Sequence, residues 1–181
     1  MNKLRLSYTL LAYWERGDIK GAIDSYLHKA TFTSDAMQHG KDIHKELADY
    51  IREHKKFPEW FFTMELKDPE PEREVVVSYN DMFDLKGIFD CLDRPNKTLF
   101  EFKTGKSDSL EWAKTWQLPM YFLIAELANI DIDKAVIIRH DGKESDYCVV
   151  HNSKRNRDLA RNIIERYGPE IYNNFMNEGI L

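Results

Sequence analysis

Cysteine is nearly missing from this chain of 181 residues: there are two, Cys91 and Cys148. Two thiols cannot build the disulfide framework of a small secreted domain, and they exclude any cluster that needs four thiolates. Each reads as a small buried hydrophobe. Long apolar runs are missing too. Lys3, Arg5, Glu15 and Arg16 bracket a short amphipathic stretch near the N-terminus, so neither a signal peptide nor a membrane span is expected, and the cytoplasm is the expected location. Glycine is sparse where a phosphate-binding loop would need it. Gly105-Lys106-Ser107 ends like such a loop, but Phe100 stands where the pattern requires its first glycine. His39 and His44 are five apart with no paired cysteines, which matches no standard zinc spacing. An excess of positive charge is also lacking: the net charge is −5, so any basic surface has to be local. The length is that of one compact domain of ~100–200 residues, and residues 1–181 are expected to form a single domain with a sizeable core.

What is present is an acid and an amine two residues apart, Glu101 and Lys103 in Leu99-Phe100-Glu101-Phe102-Lys103-Thr104-Gly105, eleven residues beyond Asp90. Segments 84–92 and 97–103 have the apolar content of strands, and Arg94-Pro95-Asn96 between them are turn residues, which predicts a hairpin. Side chains alternate along a strand, so Glu101 and Lys103 share one face while Phe100 and Phe102 enter a core on the other. A two-residue turn at Pro95-Asn96 sets Asp90 opposite Glu101. A four-residue loop shifts the register by two and leaves Asp90 diagonal to Glu101 on the same face. Proline cannot take the positive φ of tight primed turns, which favours the four-residue loop with proline second. Two facing carboxylates repel unless a proton or cation neutralises them, and hard oxygen ligands suit Mg²⁺ or Mn²⁺. Taken alone, the three residues also describe an exposed, salt-bridged sheet face.

Two further segments bear on this centre. Gln117 and Tyr121 stand at i and i+4 on a segment that opens with Asp108 and Glu111 spaced as a capping pair, so both leave one helical face. A helix over 36–54 carries Met37, Ile43, Leu47, Tyr50 and Ile51 at helical spacing, and His44 falls inside that stripe, one turn after Gly40. By itself such a histidine is ordinarily a hydrogen-bonded core residue.

The ordered set His44, Asp90, Glu101-Phe102-Lys103, Gln117 and Tyr121 resembles the RecB-like branch of the PD-(D/E)XK nucleases. Gly87, Thr104-Gly105, Gly40-x-x-x-His44 and the opening Leu6-Ser7-Tyr8-Thr9-Leu10 add to the likeness. Order and spacing carry it, over most of the chain. The proline that names the superfamily is replaced by Phe89, and the four cysteines with which some relatives hold an iron–sulfur cluster are absent. The resemblance implies a restriction-endonuclease-like α/β core with a mixed central β-sheet flanked by helices. It implies Mg²⁺ or Mn²⁺ held by Asp90, Glu101, the main-chain carbonyl of Phe102 and His44. Lys103 would orient or help deprotonate the attacking water, or stabilise the transition state, and Gln117 and Tyr121 would position the phosphate or the catalytic groups. The implied activity is that of a DNA exonuclease of recombination, repair or phage DNA processing. An endonuclease of the same fold and a non-catalytic nucleic-acid-binding module are the alternatives. DNA, as single strands or duplex ends, is the implied partner. A homo-oligomer, or recombination and repair proteins as partners, follow from what similar exonucleases do.

Coarsely, the pattern predicts helices over 7–28, 36–54 and 108–128, strands over 60–66, 74–79, 84–92, 97–103, 134–139 and 146–151, and a long C-terminal helix. Pro119 inside the third helix predicts a kink or a later start. Asp68-Pro69-Glu70-Pro71-Glu72 reads as an acidic surface loop. Lys154-Arg155-Asn156-Arg157 with Arg161 reads either as a solvated helix face or as a track for a phosphate backbone, and Lys103, Lys106 and Lys114 lie closer to the proposed centre. Trp112, Trp116 and Phe122 are assigned to packing.

Overall fold

The computed structural model describes residues 3–28, 35–104 and 116–181. A six-stranded mixed sheet has helices on both faces. The chain opens with a strand absent from the sequence reading, β1 (Leu4–Leu6), and Ser7 then caps α1 (Tyr8–Glu15) by accepting the Leu10 N–H at 3.3 Å. The helix expected over 7–28 is in fact two. Gly17 takes a left-handed φ of 74°, and the Asp18 carboxylate accepts the Gly21 N–H to start α2 (Ile19–Tyr26). α3 (Asp35–His54) runs close to its predicted limits.

Segment 60–66 is not a strand. The N–H groups of Phe61 and Phe62 return to the Pro58 carbonyl in a turn, and the apolar content goes into packing: Phe57 and Phe61 stack edge-on against Phe102. The acidic segment 68–72 is not a loop either, because β2 (Pro69–Ser78) starts there. Prolines are tolerated at that position because β2 is an edge strand, with no ladder to break on its outer side among the described residues.

β3 (Phe83–Asp93) and β4 (Thr98–Thr104) form the predicted hairpin. Its loop has four residues with Pro95 second, and the Lys97 N–H closes on the Arg94 carbonyl at 3.0 Å. The register, however, is the one expected for the two-residue turn: Cys91 faces Phe100 and Asp93 faces Thr98. The loop begins one residue later than anticipated, and Lys97 closes it with a φ of 47°. Buried Asp93 fixes the start, since its carboxylate accepts the Lys67 and Asp68 N–H groups at 3.1 Å each and the Asn96 amide at 2.7 Å.

After the undescribed 105–115, α4 (Leu118–Leu127) carries Pro119 in its first turn, where the missing N–H would have no helical partner anyway. The predicted start at Asp108 and Glu111, together with Lys106, Lys114 and Trp112, lies outside the described residues. α4 is buried on all sides through Ala125 and crosses over to β5 (Lys134–His140), which pairs parallel with β4. β6 (Ser145–His151) and α5 (Lys154–Asn177) complete the chain.

Two cores follow. The larger one joins α1, α4 and α5 to the sheet, and the smaller packs Leu47 and Ile51 of α3 on Cys91, Phe100 and Phe102. Burying such side chains contributes roughly 1.5–3 kcal/mol each. Phe89 lies in the larger core and Cys91 in the smaller, although residues two apart on a strand should share a face. The alternation therefore slips at Asp90. Opposite it, Glu72 of β2 is left-handed with a φ of 51° and missing from the paired register.

Candidate active site

β2 runs along one side of β3 from Pro69 to Ser78, so β1 and β4 must share the other side. β1 pairs with Phe83 to Leu85 and β4 with Cys91 to Asp93. Between them, residues 86–90 of β3 have no partner strand on that side among the described residues, and the sheet is open there. Into this opening, a cavity of about 390 Å³, project His44, Asp90, Glu101, Lys103, Gln117 and Tyr121, all of the side chains singled out in the sequence. The Phe102 side chain points away into the smaller core, as alternation requires.

The ladder between β3 and β4 stops at Cys91, and the Asp90 carboxylate takes over: its Oδ2 accepts the Phe102 N–H at 2.7 Å. Its Oδ1 lies 3.4 Å from Nδ1 of His44. α3 can bring His44 there because it runs close to β4. A side chain at Gly40 would come within 2.9 Å of Thr104 Oγ1.

Glu101 is buried, with Oε1 accepting from Lys103 Nζ at 2.6 Å and from Gln117 Nε2 at 2.6 Å. Gln117 Oε1 in turn accepts from Lys103 at 2.8 Å, and its Nε2 also reaches Tyr121 Oη at 3.0 Å. Tyr121 donates to the Ile88 carbonyl at 2.6 Å, a group of the open edge of β3. One network thus ties that edge to the acid and the amine.

Electrostatics follow from this packing. Burial, and then the charge of Asp90, push the Glu101 carboxyl up to about 7. For Asp90, burial acts in the same direction, but His44, Lys103 and the Phe102 N–H outweigh it and hold the group below the usual range. Burial lowers Lys103 and His44, yet Glu101 in the first case and Asp90 in the second override it, and both end raised.

Glu101 Oε2 is buried and has no hydrogen-bond partner among the described residues. A buried anionic oxygen left alone costs about 1–3 kcal/mol or more, so this atom fits a proton or a cation. Among the described residues no three His, Cys, Asp or Glu side chains converge into a ready-made cage. The donor set of two carboxylates and one imidazole, with an oxygen unsatisfied, nevertheless suits a hard divalent ion.

Tyr8 joins the site without a chemical motif of its own to mark it. It lines the opening, meets Tyr121 edge-on at 5.9 Å, and burial, then Glu101, raise its hydroxyl. The one available signal was its place in Leu6-Ser7-Tyr8-Thr9-Leu10. Two arginines of the basic run at the start of α5 are committed elsewhere: Arg157 and Arg161 pair with Glu126 of α4, while Lys154 meets Asp158 in an exposed pair. Among the described residues no helix is long and apolar enough to cross a membrane.

Comparison with known proteins adds independent support. A sequence search of curated proteins finds no match. Solved structures match the fold. A protein of Eubacterium rectale proposed to be an exonuclease is 13% identical with a TM-score of 0.64, over 98% of this chain and 82% of that one. A phage-related exonuclease of Haemophilus somnus is 11% identical with a TM-score of 0.56, over 98% and 97%. LHK-Exo, an alkaline exonuclease of Laribacter hongkongensis, is 12% identical with a TM-score of 0.53, over 97% and 93%, and has also been solved with dAMP. The sequence profile of the PD-(D/E)XK nuclease superfamily matches residues 5–170, and the chain belongs to that superfamily.

Proposed function

We propose that this chain is a metal-dependent DNA exonuclease that hydrolyses phosphodiester bonds in recombination, repair or phage DNA processing. The observation that carries the reading is the network in which Lys103, Glu101, Gln117 and Tyr121 join the opening beside Asp90 and His44. That solved neighbours are exonucleases, one of them holding a deoxynucleotide, supports DNA as substrate and ends as its point of attack.

Mg²⁺ or Mn²⁺ would be held by Asp90, Glu101, the Phe102 carbonyl and His44, and when bound it supplies charge neutralisation at the phosphate and acidifies a water. The protein's own residues do the rest. Two acceptors, Glu101 Oε1 and Gln117 Oε1, aim the Lys103 ammonium. A fixed cation there stabilises negative charge building on the phosphoryl oxygens. Gln117 and Tyr121 are positioning residues: they hold Glu101 and Lys103 against the open edge at Ile88.

The test incubates purified protein with end-labelled linear and covalently closed circular DNA, single- and double-stranded, in Mg²⁺, Mn²⁺ or EDTA. Metal-dependent loss of linear DNA alone is the expected result. Cutting of closed circles identifies an endonuclease instead, and inertness in every condition sinks the catalytic reading in favour of a binding module. Glu101→Ala and Lys103→Ala are each expected to abolish cleavage while keeping the fold, and undiminished rates in either overturn the assigned centre.

A further inference from the structure

The opening does not end at the acidic centre. It continues into a second cavity of about 270 Å³ and shares Ser7, Ser25, His28 and Lys86 with it; the second cavity adds Lys3 and Arg5. No carboxylate is among the described residues that line this second cavity, in a chain with 31 acidic and 26 basic side chains. Local positive charge of this kind is what a net-negative chain needs in order to hold an anion.

The placement of the two central cations comes from the sheet. Leu4 and Leu6 are buried and turn Arg5, between them, to the outside. Arg5 faces Asp84 in the β1–β3 register, and Lys86, two residues on, projects from the same face of β3. Arg5 is exposed and makes no ion pair among the described residues. Lys86 is partly covered and meets Glu74 at 3.0 Å, but that carboxylate is half exposed, so solvent screens the pair from its side. Lys3 is more committed, donating to Ser78 at 2.6 Å with Asp84 3.7 Å away. From Lys86 the open edge of β3 leads through Gly87 and Ile88 to Asp90.

We propose that Arg5 and Lys86 form a second phosphate subsite, which holds another phosphate of the strand being cut at Asp90 and Glu101. The subsite rests on the nuclease reading and adds to it a direction for the strand, along the open edge of β3 toward β1. A guanidinium offers a planar fork to phosphate oxygens and an ammonium a point charge, so the pair suits an oxyanion and reads no base. The phosphate is either an internal diester or a terminal monoester.

Fluorescence anisotropy of labelled single-stranded oligonucleotides in EDTA tests the subsite without turnover. The Arg5→Gln/Lys86→Gln double variant is expected to bind at least about tenfold more weakly at low salt. Each phosphate neutralised contributes about 0.7 to the slope of log affinity against log salt, so losing this one should flatten the slope by roughly 0.7. Arg5→Lys should keep the parent slope. If thermal melting shows the double variant to be unfolded, Arg5→Gln alone should show about half the change. Where binding is too weak to read, the salt dependence of kcat/KM in Mg²⁺ gives the same slope. Strands with a 5′-phosphate, a 5′-hydroxyl or no end at all identify the source: a loss confined to the 5′-phosphate strand means a terminal phosphate, and an equal loss in all three means the backbone. A double variant indistinguishable from a parent that binds and cleaves overturns the subsite and leaves the nuclease reading standing. An equal loss in Arg155→Gln, on α5, does the same. A parent that neither binds nor cleaves nucleic acid overturns both.

Discussion

Asp90 Oδ2 accepts the main-chain N–H of Phe102 at 2.7 Å, at the point where the β3–β4 ladder has run out. One carboxylate therefore both closes the sheet and faces the candidate centre, and the two duties can be separated. Asp90→Asn keeps an acceptor oxygen for Phe102 and should lose cleavage with little loss of stability. Asp90→Ala strands a partly buried N–H as well, and should cost about 1–2 kcal/mol more. Urea denaturation of the two variants beside a nuclease assay checks this. Equal stability in both variants would mean that the bond to Phe102 contributes nothing.

The Glu101 carboxyl, raised to about 7 from an ordinary 4.5, makes a prediction for the metal-free protein. A folded-state pKa above the unfolded one means that the folded form holds the proton more tightly. That stabilisation is complete below 4.5 and lost as the pH rises through about 7. His44, also raised, acts in the same sense, while Asp90, lowered, adds stability that disappears only as the pH falls below the ordinary carboxylate range. In EDTA, stability should therefore fall between about pH 5 and 7.5, by on the order of 3 kcal/mol. Glu101→Gln should flatten that limb. Parallel profiles for parent and variant would show that Glu101 titrates normally.

The same proton links metal to pH. An ion can use Glu101 only after the carboxyl has ionised, so binding releases a proton and tightens with rising pH. Mn²⁺ is expected to raise the melting temperature more at pH 8 than at pH 6, and the difference should shrink in Glu101→Gln, where His44 alone still gives up a proton to the ion. A stabilisation that is the same at both pH values in the parent would place the ion away from Glu101.

How far the sequence reaches is clear at Asp90 itself. Alternation predicted correctly that Glu101 and Lys103 share a face and that Phe100 and Phe102 fill a core. It could not foresee that β3 slips by one at Asp90, because the slip goes with the left-handed backbone of Glu72 across the sheet, which leaves no mark in composition. Segment 60–66 misled for a related reason. Aromatic residues that fill a core from a turn look the same in sequence as those that fill it from a strand. β1, only three residues long, is too short to show a period, and with it the open edge that it frames was invisible.

Gly87 lies against Tyr121, and its lack of a side chain has a measurable role. A methyl group there would meet Ile124 Cδ1 at 3.0 Å and Tyr121 Cε1 at 3.1 Å, tighter than ordinary contact. Gly87→Ala should therefore push the Tyr121 ring, weaken its bonds to Ile88 and Gln117, and cost about 1–3 kcal/mol. Cleavage should fall more in kcat than in KM, because what moves is the support of Lys103. If the variant matches the parent in kcat, Tyr121 serves packing alone.

The arginines at the start of α5 yield the opposite expectation. Arg157 and Arg161 both pair with Glu126 of α4, which fixes the C-terminal helix to the central crossover helix. Cations already held by a carboxylate have little left for a phosphate, and these are partly buried, so removing one leaves Glu126 short of a partner. Arg161→Gln should lower stability by about 1 kcal/mol, with an equal and non-additive loss in Glu126→Gln/Arg161→Gln if the pair acts as a unit. Oligonucleotide affinity and its salt slope should stay at the parent values. A clear fall in that slope for Arg161→Gln would return this helix to the nucleic-acid surface and move the strand's path away from β1.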